Sequence, residues 1–260
     1  MSAMRLLGVG LVGPGLADWN AGREILAGRS PYAPAATVLP SPEALPATER
    51  RRAGKSVRVA LGAGLAAAAA AGKSPRELAS IFASSGGDGD TMHHICETLA
   101  SGDRLISPTR FHNSVHNAPA GYWGIATGSM EASDTIAAFD GSFAAGLLEA
   151  ATRLALGDGK PLVLVAYDAP YPEPLNTVRP IADAFGVGLV LARDGDGPAL
   201  DVRPDPASPD TLEDAALEHL RRSVPAARAL PLLAALAGGR AATVRIEYLD
   251  GTALAVDCRP

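Results

Sequence analysis

Apolar positions along this chain fall into two kinds of run, and the two kinds alternate. Short, near-continuous runs at Arg5–Val12, Leu78–Ser84, Thr135–Phe139, Pro161–Tyr167 and Phe185–Ala192 are five to eight residues long and bounded by polar or turn residues. Runs of that length predict strands, the last two buried on both faces. Longer stretches of small apolar residues, Ser56–Ala71 and Ser142–Leu156, predict buried helices. Alanine at every position from Ala66 to Ala71 makes the first helix slim enough to lie very close to a sheet. In the second, chiefly Glu149, Thr152 and Arg153 interrupt a surface that is apolar nearly all round. Such a helix needs cover on several sides, and Thr211–Pro260 or another chain must supply it. Alternating strands and helices place the chain in the α/β class.

Turn residues divide the rest. Gly28–Pro46 is rich in proline and predicts an ordered surface loop. Ser84–Asp90 (SSGGDGD) predicts a turn that caps a helix over Thr91–Ser101. His116–Trp123 (HNAPAGYW) reads as a loop with Pro and Gly pivots and two large aromatics. Asp194–Asp210 reads as turn and linker, followed by an amphipathic helix over Thr211–Ser223 with Asp210 as its N-cap. A further helical piece is expected over Leu230–Ala237, and a hairpin joins Ala242–Tyr248 to Thr252–Cys258 around Asp250-Gly251. The domain reading is therefore a body over 1–193, a linker over 194–210 and an appendage over 211–260.

Composition removes several classes of function. With 260 residues, 47% of them hydrophobic, the chain can bury a full core. A net charge of −5, with no basic block beyond Arg50-Arg51-Arg52, leaves no electrostatic footprint for nucleic acid. The longest apolar run, Val59–Gly72, has 14 residues and is too short for a membrane span. Two distant cysteines, Cys96 and Cys258, without a signal peptide suit a reducing cytosol, so a cytoplasmic protein is expected. Gly8–Gly13 spells G-x-G-x-x-G, but Pro14 and Gly15 follow where a dinucleotide fold opens its helix. His93, His94, Cys96 and Glu97 lack a second Cys/His pair at zinc spacing. Neither a metal nor a cofactor is expected.

The most specific signal lies in Ser107–Leu156. Ser114–Tyr122 reads SVHNAPAGY, and some twenty residues later DTIAAFDGSFAAG runs from strand through a sharp elbow into helix. This resembles the N-terminal half of the β-ketoacyl synthases of the thiolase fold, whose motifs run roughly SVPNAPAGY and ACSSGAHAIGEA. His116 replaces a proline, and setting Gly146 on the last glycine of the second motif puts Ala138 where the nucleophilic cysteine belongs. The resemblance covers Arg5–Arg193 and implies a mixed five-stranded sheet between helices, with the C-terminal helix and hairpin as an appendage. More narrowly, the chain is similar to short chain-length-factor-like proteins that accompany aryl polyene and related fatty-acid-like or polyketide pathways and also lack the cysteine. The family's catalytic histidines belong to a second half that is expected to be absent here.

Two classes of function stay open. One is a pseudoenzyme partner of a full-length ketosynthase or acyl carrier protein, a scaffold or chain-length component, with Arg50-Arg51-Arg52 as a dock for the acidic carrier. The other is an enzyme acting on acyl thioesters through Asp140 and Ser142 at the elbow with His112 and His116 from the preceding segment. In either case His116, Asn117, Asp140 and Asp168 are expected in one hydrogen-bonded cluster at the C-terminal ends of the strands, beside a small pocket with Ala138 and Tyr171. A dimer, with itself or with a ketosynthase, is expected on Thr135, Ala137 and Phe139 together with Tyr122 and Trp123.

Overall fold

The computed structural model describes residues 3–102, 104–157 and 159–260. The chain opens with β1 (Met4–Val12) and α1 (Trp19–Leu26), crosses the proline-rich segment to a single turn, α2 (Ala47–Arg50), and enters the long helix α3 (Lys55–Ala70). β2 (Ala79–Ala83), α4 (Gly89–Ala100), α5 (Pro108–Asn113) and α6 (Ala118–Thr127) follow, then β3 (Ser133–Ile136), α7 (Ser142–Leu156) and β4 (Leu162–Asp168). A turn of helix, α8 (Leu175–Val178), leads to β5 (Phe185–Ala192) and β6 (Ala199–Asp205). The C-terminal part comprises α9 (Ala215–Ser223), a 3-10 segment (Pro225–Ala229), α10 (Leu230–Gly238) and the hairpin β7 (Ala242–Leu249) and β8 (Thr252–Arg259).

One sheet holds all eight strands in the order β3-β2-β4-β5-β1-β6-β8-β7. β2 runs parallel to β3 and β4, and β5 is antiparallel to both β4 and β1. These five are the expected mixed sheet; β6, β8 and β7 extend it past β1 to eight strands. The segment 194–210, expected as a linker, therefore contains a strand, and the expected hairpin appendage continues the same sheet. Pro204 and the charged Asp201, Arg203 and Asp205 made β6 read as turn. The strand tolerates them because it touches β1 only through Ala199 and Leu200, so the far end of that side has no neighbour that needs an amide.

Every residue of β4 and β5 is buried, as sheet strands with helices on both faces require. On one face α3 packs with α6 in a core that includes Val59, Phe82, Trp123 and Val190. Glycines of β1 and β5 make that contact close: a Cβ on Gly10 would lie 2.0 Å from the Ala63 carbonyl oxygen, and one on Gly188 2.4 Å from the same atom. Gly8 and Gly10 of the G-x-G-x-x-G run thus serve helix-on-sheet packing, and the alanine-rich helix lies as near as its slimness allows.

The opposite face carries α7. Its apolar surface is covered by the C-terminal part of the same chain: Phe143, Leu147 and Leu154 share a core with Leu230, Val244 and Ile246. The helix therefore needs no second chain for its cover.

Three local expectations change. HNAPAGYW is mostly helix, because Pro119 sits in the first turn, where a proline has no amide bond to lose, and Gly128 at φ +68° ends the helix as its C-cap. Tyr122 and Trp123, expected at an interface, are each 1% exposed and belong to the core beneath α3. Asp214, not Asp210, caps α9 by accepting from the Ala216 and Leu217 amides. Asp210 is bound to the sheet instead. Its amide donates to the Arg245 carbonyl (2.9 Å) and its carboxylate accepts from the Arg245 amide (3.0 Å), which closes part of the free edge of β7.

Among the described residues, β3, the other edge strand, has no such guard. Ser80 and Ser84 of the β2 side donate to the carbonyls of Ala132 and Ile136, so alternate residues face β2 and the odd-numbered ones, Ser133, Thr135 and Ala137, turn their backbone groups outward.

Candidate functional site

The elbow between β3 and α7 is built by backbone strain and one hydroxyl. Phe139 holds φ +49°, in the left-handed region, which turns the chain sharply into the helix. Ser142 fixes that turn: its Oγ donates to the Phe139 carbonyl at 2.7 Å and accepts from the Ala138 amide at 3.0 Å. Ser142 is buried and its hydroxyl is fully engaged in the turn. Ala138 carries no reactive atom.

Around the elbow lies a network of charges. Asp140 accepts from Arg179 Nη2 through Oδ1 (2.5 Å) and from Arg228 Nη2 through Oδ2 (2.9 Å). Arg179 also donates to Ser85 Oγ at 2.6 Å, and its guanidinium lies 3.7 Å from the centroid of the Phe139 ring. Arg228 Nε lies 3.0 Å from Glu247 Oε2 but without the alignment of a hydrogen bond. Arg221 reaches the same Glu247 oxygen at 3.3 Å and forks onto Glu218 with two bonds of 2.7 Å.

Beneath this network, Asp168 ends β4 at 2% exposure. Its Oδ1 accepts from Ser84 Oγ (3.1 Å) and the Ser85 amide (2.9 Å), its Oδ2 from the Ala226 amide (2.8 Å). The carboxylate so joins the β2 end to the 3-10 segment. Burial pushes its pKa up to about 7 against the pull of those three donors. A raised pKa means the folded state binds the proton more tightly than the unfolded state. The resulting stability is fully present below about pH 4 and is lost as pH rises to about 7. The loss is roughly 4 kcal/mol over that window, at about 1.4 kcal/mol per pH unit. For Asp168→Asn, which does not titrate, the difference in Tm from wild type should climb steadily between pH 4 and pH 7 and level off above it. Thermal melts across that range check this, and a difference independent of pH would contradict the assignment.

The expected cluster forms with three of its four members. His116 Nε2 lies 3.2 Å from the Ser84 carbonyl, Ser84 binds Asp168, and Ser85 connects both to Arg179 and Asp140. Asn117 is exposed and contributes only its carbonyl, to the Gly121 amide. Asp168 is sealed rather than open to a pocket. His112 is exposed on the last turn of α5. Among the described residues neither histidine hydrogen-bonds Ser142 or Asp140, so no Ser/His or Asp/His pair is assembled. Tyr171 fills space left by Gly86 and Gly89; a Cβ at Gly86 would lie 1.6 Å from its hydroxyl oxygen. Arg179, Arg228, Ser85 and Glu247 escaped the sequence reading. They lie far from the elbow in sequence, and nothing in their own neighbourhoods marks a buried ion pair.

His93 and His94 each meet Glu97 at 3.1 Å, and among the described residues no group of three or more His, Cys, Asp or Glu is placed to hold a metal ion. Near them opens a cleft of about 520 Å3 lined by Arg51, Arg52, Arg110, His94 and Asp88 among others. Arg50, first of the basic run, is exposed and donates to the Glu43 and Leu45 carbonyls. No described helix is long and apolar enough to cross a membrane.

Comparison with known proteins gives a consistent picture. The sequence profile of the family described as "Beta-ketoacyl synthase, N-terminal domain" matches residues 26–249. Among solved structures, a chain of the ketosynthase ApeO in complex with its chain length factor ApeC, from Xenorhabdus doucetiae, aligns over 99% of both chains with a TM-score of 0.75 at 21% identity. A chain of the ishigamide ketosynthase/chain length factor aligns over 99% of both chains, with a TM-score of 0.72 at 15% identity. A chain of AntDE:AntF, a type II PKS acyl-carrier protein in complex with its ketosynthase, does so with a TM-score of 0.77 at 12% identity. At these identities the likeness is one of fold. No curated protein matches the sequence.

Proposed function

The chain belongs to the β-ketoacyl synthase N-terminal-domain family, and from that premise we propose that it is a chain-length-factor-like pseudoenzyme, the partner of a full-length ketosynthase that works with an acyl carrier protein in fatty-acid-like, polyketide or aryl polyene synthesis. The observation that carries this reading is the elbow. Where a condensing enzyme needs a thiolate there is Ala138, and the adjacent polar groups are spent on the turn and on ion pairs. Acyl-thioester hydrolysis or transfer by Ser142 is not favoured, because its hydroxyl donates to Phe139 and, among the described residues, no base hydrogen-bonds it.

The difference between the two sheet edges supports a partner bound along β3. β7 is guarded by Asp210, whereas β3 leaves Ser133, Thr135 and Ala137 facing outward. An unguarded edge is a template for pairing with another chain. Exposed large apolar side chains gather in the same part of the sequence: Met92, Leu99, Leu105, Phe111, Val115, Ile125, Met130 and Phe139. The cleft beside Arg51, Arg52 and Arg110 is where an acidic carrier would dock.

Light scattering of the chain mixed with full-length ketosynthases from the same cells tests the reading, with a one-to-one complex as the expected result. Thr135→Pro removes an outward amide without touching the β2 ladder, so it should leave the Tm within about 2 °C while weakening the complex at least tenfold. A chain that stays monomeric with every such ketosynthase would end the proposal.

A further inference from the structure

Phe139 is 63% exposed although it stands in a backbone conformation that glycine adopts freely and a phenylalanine only under strain. Single exposed apolar residues are ordinary; this one is held in place from within. Ser142 clamps its carbonyl, and the guanidinium of Arg179 lies against its ring at 3.7 Å. That guanidinium is itself fixed by Asp140 and Ser85. A glycine here would relieve the backbone, and a polar side chain would suit the solvent. Strained residues persist where the surrounding structure over-determines them, and they concentrate at functional sites.

The chain does not cover this ring itself. Its C-terminal part already closes on the elbow at Gly141, where a Cβ would lie 2.0 Å from the Tyr248 carbonyl oxygen, and still leaves Phe139 outside. Phe139 stands three residues beyond the end of β3, the strand whose Ser133 and Thr135 turn their backbone groups outward. The recipient follows from the proposed pairing of β3 with the ketosynthase: the ring would meet the surface of that chain beside the paired edge.

We propose that Phe139 is an apolar knob for the ketosynthase, inserted into an apolar pocket of that partner beside the paired β3 edge, with Arg179 as the residue that positions it. The inference rests on the reading of this chain as a ketosynthase partner. Aromatic side chains braced before binding are effective anchors because little freedom is lost when they dock.

Affinity for the full-length ketosynthase, measured for wild type, Phe139→Gly and Phe139→Leu alongside their melting temperatures, decides it. Phe139→Gly should melt at or up to about 4 °C above wild type, since glycine relieves the left-handed backbone, yet bind at least tenfold more weakly. Phe139→Leu, which keeps apolar bulk, should stay within about threefold of wild type. Glycine and wild-type chains that bind the ketosynthase equally would overturn the knob and leave the partner reading intact. A wild-type chain that binds no ketosynthase overturns both. Self-association that disappears in Phe139→Gly would assign the ring to a homodimer and overturn the choice of partner.

Discussion

Gly10→Ala is expected to destabilise the protein by about 3 kcal/mol or more, lowering Tm by roughly 6–12 °C. The added Cβ would stand 2.0 Å from the Ala63 carbonyl oxygen and 2.7 Å from the Ala67 amide nitrogen, both backbone atoms of α3. No rotamer change can make that room. Either α3 lifts off the sheet, opening gaps around Val59, Ala63 and Ala67, or β1 shifts against β5. Gly121→Ala supplies the contrast: its Cβ meets nothing within 4 Å, and within α6 the change should be neutral or stabilising by up to about 1 kcal/mol. Thermal or denaturant melts of the two variants check the pair. Should Gly10→Ala melt with wild type, the close helix-on-sheet contact is wrong.

Asp140→Ala carries the next largest effect. It removes the carboxylate shared by Arg179 and Arg228, whose side chains are 24% and 8% exposed. Arg228 would then be nearly buried with, among the described residues, only the poorly aligned Glu247 for a counter-charge. Breaking a buried pair by deleting one partner typically costs about 3–5 kcal/mol, because the remaining charge stays desolvated. The lower end, about 3 kcal/mol, is expected here, since Glu247 remains and Arg179 reaches solvent. Adding Arg228→Met to Asp140→Ala should recover part of the loss, making the double variant more stable than the sum of the single ones predicts. Strict additivity would mean that the ion pair contributes nothing at the elbow. Arg179 also braces Phe139, so Asp140→Ala should weaken ketosynthase binding as well.

Local sequence determined the class of fold and the position of the elbow. The run at Phe185–Ala192 coincides with β5 because its burial is complete and leaves an unbroken apolar record, and Ser142–Leu156 coincides with α7 because its apolar side chains pack against the sheet and the C-terminal part. The elbow motif could be read for a related reason: a motif is a contiguous string. β6 was not legible, since its Pro204 and charged residues follow local rules for turns and only its neighbours β1 and β8 make it a strand. HNAPAGYW was misread because the same proline that breaks a helix interior opens a helix at its first turn, and which applies depends on the packing of Tyr122 and Trp123. The partners of Asp140 came entirely from tertiary structure. Arg179, at the end of α8, and Arg228, in the 3-10 segment, lie 39 and 88 residues away, and only the folded chain brings them to the elbow. Burial periodicity is written into neighbouring positions, whereas a charge pair between distant positions leaves no local trace until the chain closes on itself.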